Sequence, residues 1–231
     1  MNWDEIDLVV FDVDGTLYDQ RRLRLAMLRQ LLAAALRSRS LDTLQTLRTF
    51  RRVREALGDQ QHSGFMQLQY EQTAGRHNKT SEQVRILTTE WIEQRPLPFL
   101  AGCRYPHLDA VFAGLRARGK QIAVFSDYPA RDKLAALGLQ AHPVVCATDA
   151  DIARLKPDPC GLLAVLHRTG VESQRALMIG DRFDRDAAAA RRAGVRALIR
   201  TRKPHPEFDT FRSYADPVFQ PLLMRPGVAA A

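Results

Sequence analysis

Five short apolar runs constrain the fold of this chain most: "LVVF" (8–11), "QIAVFS" (121–126), "PVVCA" (143–147), "ALMIGD" (176–181) and "VRALIR" (195–200). They have the length and the β-branched content of strands buried on both faces. Around the last four lie helical stretches, "HLDAVFAGLRARG", "ARDKLAALG", "PCGLLAVLHRTG" and "RDAAAARRAG", each finished by a glycine suited to a helix C-terminal cap. Strands alternating with helices of this length predict an α/β fold, a parallel sheet flanked by helices on both sides. In such a sheet chemistry gathers beyond the carboxyl ends of the strands.

After Asp19 the period changes. Leu28, Leu31, Leu32, Ala35 and Leu36 recur at helical spacing, then Leu41, Leu44, Leu47, Phe50 and Val53, then Val84, Leu87, Thr88, Trp91 and Ile92. Residues 58–81 are polar and rich in glutamine, with weak periodicity, and read as loop or irregular helix. "RPLPFL" closes the region, and Pro96 and Pro98 favour extended backbone there. The chain therefore divides into an α/β core, 1–18 and 98–231, and an all-helical insertion, 19–97. The last 30 residues hold five of the twelve prolines and read as a loosely structured tail packed around the core.

Composition narrows the setting. With 231 residues, 45% of them hydrophobic, the chain can bury a core without staples. Its three cysteines, Cys103, Cys146 and Cys160, form no C-x-x-C pair, which suits a reducing compartment. "MNWDEID" is acidic and lacks an apolar stretch, and no run approaches 18 apolar residues, so the expectation is a soluble cytoplasmic protein with no membrane partner. The formal charge of +8 is unevenly placed: residues 21–54 hold ten arginines against one acid, Asp42. Such a block suits a solvated helix face, a partner surface or a funnel for an anionic substrate. It does not read as a nucleic-acid site, because nothing aromatic beyond Phe50 is interleaved with it and no binding motif is present.

Polar groups stand at or just past the strand ends: Asp12 and Asp14 after the first, Ser126 after the second, Lys156 in "LKPDP", and Asp181 after "LMIG". Singly these are ordinary loop residues. Jointly, a parallel sheet would bring them to one edge. Carboxylates collected there repel one another unless a cation is bound, and a hard divalent ion such as magnesium is the natural remedy. A lysine and a hydroxyl remain for an oxyanion. A metal and an anionic group together describe phosphoryl transfer, in which the protein supplies positioning and charge neutralisation.

These residues resemble the haloacid dehalogenase superfamily, in its phosphatase branch with a helical C1-type cap, phosphoglycolate phosphatase-like. "DVDGT" (12–16) matches its D-x-D-x-T motif, Ser126 the Ser/Thr of its second, Lys156 the lysine of its third, and "GDRFDRD" (180–186) its G-D-x-x-x-x-D. The resemblance covers roughly residues 6–18 and 100–200. It implies a Rossmann-like core with a cap inserted after the first motif, magnesium as cofactor, and a small phosphorylated metabolite as substrate.

By the same resemblance Asp12 is the nucleophile that forms an aspartyl-phosphate, and Asp14 the general acid and then base. Gly15 allows the turn that brings both to one phosphorus. Thr16 bonds the phosphate or fixes a carboxylate, and Ser126 and Lys156 bind phosphate oxygens. Magnesium falls to an Asp12 oxygen, the Asp14 carbonyl and Asp181, with Asp186 ligating through water or pairing with the lysine. Asp184 competes for that last role. An acid at position 14 favours phosphate ester hydrolysis over carbon–halogen or carbon–phosphorus cleavage.

Several points stay open at this stage. Asp127 stands where many relatives carry asparagine, and either weakens anion binding or faces away to contact a cationic or hydroxyl-bearing part of the substrate. One of Arg21, Arg22 and Arg24 could reach an anionic group of the substrate, or all three decorate a helix. The six histidines read as structural or surface residues. A phosphomutase of the beta-phosphoglucomutase type keeps all four motifs, and a silent relative could use the arginine-rich cap to bind an acidic partner. A signalling receiver domain shares the Asp, Ser/Thr and Lys set but lacks an insertion of this size. Oligomeric state is not legible.

Overall fold

The computed structural model describes residues 1–224, so residues 225–231 at the end of the expected tail lie outside the described part. Six parallel strands form one sheet: β1 (Leu8–Phe11), β2 (Gln121–Ser126), β3 (Val144–Cys146), β4 (Ala176–Gly180), β5 (Arg196–Arg200) and β6 (Asp209–Phe211). Their order is β3-β2-β1-β4-β5-β6, so β1 is central and the order reverses on either side of it. Side chains alternate across β1. Val9 and Phe11 pack with Ile122, Val124, Leu177 and Ile179 on one face, and Leu8 and Val10 with Ala123, Phe125 and Met178 on the other. Burial on both faces explains why the strands read as continuous apolar runs.

The register sets the site. Phe11 pairs with Val124 and with Ile179, so Asp12 stands level with Phe125 and Gly180, and Ser126 and Asp181 lie one step beyond. Of the core helices, α6 (Leu108–Ala117) precedes β2, α7 (Arg131–Leu137) and α8 (Cys160–Thr169) follow β2 and β3, α9 (Ala188–Arg192) precedes β5, and α10 (Gln220–Leu223) follows β6.

Between β1 and α6 the chain is helical: α1 (Gln20–Ser38), α2 (Asp42–Asp59), α3 (Phe65–Arg76), α4 (Ser81–Thr88), a wider turn over Thr89–Gln94, and α5 (Leu97–Cys103). Asp19 caps α1 by accepting the Arg21 and Arg22 N–H groups at 2.8 and 3.3 Å. A reciprocal Thr80–Gln83 capping box starts α4. Two local expectations are corrected here. Residues 65–76 form a regular helix whose inward face includes the buried polar residues Gln69 and Thr73. Gln69 donates to the Phe50 carbonyl at 2.9 Å and accepts from Arg54 at 3.2 Å, so satisfied polar groups sit where the period demanded apolar ones. "RPLPFL" is not extended: Pro96 caps α5 and Pro98 falls in its first turn, where a missing N–H leaves no bond unmade.

The tail is better ordered than its prolines suggested. It supplies β6, and Phe211, Tyr214 and Phe219 pack together with ring centroids 4.9 to 5.2 Å apart. Tyr214 reaches across to donate its hydroxyl to the Thr16 carbonyl at 2.9 Å, bracing the loop after β1. Among the described residues, no helix is long and apolar enough to cross a membrane.

Candidate active site

Asp12 is buried at the end of β1, and both of its oxygens are held. Lys156 Nζ lies 2.6 Å from Oδ1, and Thr16 Oγ1 donates to Oδ2 at 2.9 Å. The same ammonium lies 2.7 Å from Asp186 Oδ1. Burial works against the charge of Lys156, but Asp12 and Asp186 outweigh it and hold its pKa well above the ordinary lysine range. Burial, with Asp186 and Asp181 adding to it, pushes the Asp12 carboxyl well above the usual range despite Lys156.

Asp14 points elsewhere. Gly15, at φ +97°, turns the chain there, and the Asp14 carboxylate meets Lys133 Nζ at 2.6 and 2.7 Å and accepts the Tyr18 hydroxyl. Burial raises this carboxyl, but the charge and hydrogen bond of Lys133, with Tyr18, overcome that and leave it below the usual carboxylate range. Gly15 also meets a close neighbour: a Cβ there would lie 2.1 Å from Asp181 Oδ2.

Asp12, Asp181 and Asp186 each offer a carboxylate oxygen, all within 4.8 Å of one another. Asp186 is largely committed, since its second oxygen accepts the Asp181 and Arg182 N–H groups at 3.1 and 3.0 Å. Asp181 is not. Burial, and next the charge of Asp186, lift its carboxyl to about 7. One lysine thus faces three acids, and the surplus negative charge, offered through oxygen alone, fits a hard divalent cation such as magnesium. Asp184 is excluded from this group: it faces solvent and pairs with Arg182 at 2.6 Å.

Asp127, just past β2, borders the same cavity as Asp12 and Lys156. Its Oδ1 accepts the Lys156 backbone N–H at 2.9 Å, so it fixes the loop that carries the lysine. Burial raises its carboxyl above the usual range, against Lys156. Arg54, from α2, donates to the Asp127 carbonyl and lies 4.0 Å from the centre of the Tyr128 ring. Ser126 is fully buried and accepts the Tyr128 N–H at 3.2 Å. The motif residues Asp12, Lys156, Asp181 and Asp186 are therefore brought together, Thr16 and Ser126 lie buried beside them, and Asp14 is turned to a separate partner.

A second set of bonds joins the helical insertion to the core. Buried Arg185 donates to the Lys156 carbonyl at 2.8 Å, to the Glu55 carbonyl and carboxylate at 3.0 Å each, and to Asp59 at 2.6 Å. Arg182 adds Glu55 at 2.9 and 3.0 Å. Sequence reasoning missed Lys133, Arg54 and Arg185. Arg185 sits inside "GDRFDRD" at a position that motif leaves unspecified, and Lys133 and Arg54 carried no spacing signal at all. Between insertion and core opens a cavity of about 940 Å³ that reaches Asp12, Asp14, Lys133, Lys156 and Asp181. Of the three early arginines, Arg24 lines it.

A family model for haloacid dehalogenase-like hydrolases matches residues 6–194. Phosphoglycolate phosphatase of Rhodospirillum rubrum is 39% identical over 108 residues, 45% of this chain and 44% of that protein, so the match spans under half of that relative's length. Glyceraldehyde 3-phosphate phosphatase of Methanopyrus kandleri is 25% identical over 203 residues, covering 86% of this chain and 84% of that one. Among solved structures, the putative HAD-hydrolase YfnB of Bacillus subtilis, solved bound to magnesium, superposes with a TM-score of 0.63 at 16% identity over 90% of this chain and 95% of its own. That likeness is one of fold.

Proposed function

Because this chain belongs to the haloacid dehalogenase-like hydrolase family, we propose that it is a phosphatase acting on a small phosphate monoester, with residues 19–97 as a cap over the site. The observation that carries the reading is a buried Asp12 at the end of the central strand, its charge shared with Lys156 and crowded by Asp181 and Asp186.

In this reading an Asp12 oxygen bonds to phosphorus as the ester bond to the leaving oxygen breaks, giving an aspartyl-phosphate. Asp14, protonated for this step, gives its proton to the leaving oxygen. As a carboxylate it then takes a proton from the water that attacks phosphorus, which releases inorganic phosphate and restores Asp12. Lys156 and Ser126 bind phosphate oxygens, and Thr16 keeps Asp12 oriented. Magnesium would be held by Asp12, Asp181 and the Asp14 carbonyl, with Asp186 pairing with Lys156 behind them. A magnesium ion held there would supply charge neutralisation for the transferring phosphoryl group. The pair with Lys133 keeps Asp14 ionised, so Asp14 has to leave that partner to act as an acid.

The test is release of inorganic phosphate from a panel of monoesters, p-nitrophenyl phosphate included, with and without magnesium. Turnover that needs magnesium and falls by about a thousandfold or more in Asp12→Asn is the expected result. No turnover across the panel by folded protein would overturn the reading.

A further inference from the structure

The cavity above Asp12 is built for more than a phosphate group. About 940 Å³ is at the upper end of what a drug-sized ligand needs, far more than a two-carbon acid fills. Its lining mixes two kinds of side chain. Leu23, Met27 and Leu31 of α1, Leu44 and Leu47 of α2, and Trp91 are apolar. Arg24, Arg48, Arg51 and Arg52 are basic.

The lining stripe of α2 shows how the two are arranged. Leu44, Leu47, Arg48, Arg51, Glu55 and Gly58 recur at helical spacing on one face. The Gly58 end rests on the core, where an added Cβ would lie 3.3 Å from the Lys156 carbonyl. At 1.5 Å per residue, Arg51 and Arg48 stand about 10 and about 15 Å along the helix from that contact, with Leu44 beyond them. A molecule whose phosphate sits at Asp12, beside Lys156, and whose body extends along α2 would meet the arginines about 10 to 15 Å from the Gly58 contact.

Those arginines have no acid of their own. Among the described residues, none of the ten arginines of 21–54 forms an ion pair, whereas Arg182 and Arg185 at the core end are matched by Glu55 and Asp59. Like charges left uncompensated in one wall repel one another, and a concave site focuses their field on an incoming anion.

We propose that the cavity takes a phosphate monoester whose leaving group has an apolar body, the size of an aromatic bicycle, ending in a second anionic group that Arg48 and Arg51 bind. The proposal rests on the reading of Asp12 as the phosphate site.

Calorimetry on the Asp12→Asn chain with magnesium tests it, using 6-carboxy-2-naphthyl phosphate, 2-naphthyl phosphate and 2-phosphoglycolate. The carboxylated naphthyl ester should bind about tenfold tighter than the plain one, as one charge-assisted contact predicts, and both should bind tighter than phosphoglycolate. The tenfold gain should shrink between about 50 and about 500 mM salt. It should vanish in Arg48→Ala/Arg51→Ala and survive in the charge-matched Arg29→Ala/Arg37→Ala. Phosphoglycolate binding as tightly as the naphthyl esters, a gain indifferent to Arg48 and Arg51, or no binding by folded protein would each overturn the proposal. Binding as expected with no phosphate release by the native chain would leave the cavity assignment standing and sink the phosphatase reading. Rapid turnover of phosphoglycolate with weak naphthyl binding would do the reverse.

Discussion

Lys133 Nζ lies 2.6 and 2.7 Å from the two carboxylate oxygens of Asp14, joining helix α7 to the loop after the central strand. Breaking a buried pair from one side leaves an uncompensated charge, which costs about 3–5 kcal/mol in full burial. Asp14 is partly open to the cavity, so Lys133→Met should cost about 2 kcal/mol at neutral pH. The sign of the pH dependence follows from Asp14 being lowered in the fold. The stabilisation is present above the ordinary carboxylate pKa and is lost as pH falls through the depressed value. Urea denaturation should show native and variant proteins converging in acid. An equal gap at pH 7 and in acid that protonates Asp14 in both proteins would contradict the assignment.

Asp181, lifted to about 7, behaves in the opposite sense. Its fold-stabilising contribution is complete below the ordinary carboxylate pKa and is lost as pH rises through about 7, where the metal-free site must accept the charge. Magnesium should therefore raise the Tm more at pH 8 than at pH 5, compared with protein in chelator. A gain that is the same at both pH values would count against Asp181 as a ligand.

Gly15→Ala should weaken magnesium binding. Its φ of +97° strains any L side chain, and the new Cβ would displace the Asp181 carboxylate, 2.1 Å away. Calorimetry with magnesium alone should show a Kd at least about tenfold higher, the equivalent of losing one charged ligand contact. An unchanged Kd would show that Asp181 moves aside without consequence.

Arg185→Met should loosen the insertion from the core. It removes four hydrogen bonds to the Lys156 carbonyl, Glu55 and Asp59, and leaves two backbone carbonyls short of a donor. Amide exchange along α2 should accelerate by about tenfold or more, with β1 and β4 little changed. Uniform acceleration through the sheet would mean that Arg185 supports the whole fold and not this junction.

The sequence by itself determined the parallel sheet, the helical stretch after β1 and the positions of Asp12 and Asp181, because each of these is written locally, whereas Lys156 and Asp186 stand well past their strands and were legible only through motif resemblance. A strand buried on both faces is a run of apolar residues, and a site at strand ends lies immediately after those runs. Helix α3 and β6 escaped notice for local reasons too: Gln69 and Thr73 are buried with their hydrogen bonds made, and a three-residue strand has no period to detect. Only the tertiary structure decided where the charges go. That Asp14 meets Lys133, that Asp127 holds the Lys156 N–H, that Arg185 rather than another cation joins Glu55 and Asp59, and that Arg48 and Arg51 are left without acids depend on side chains distant in sequence. Charge–charge pairing acts over a few ångströms through space and carries no sequence period, so only the folded chain brings those partners into reach.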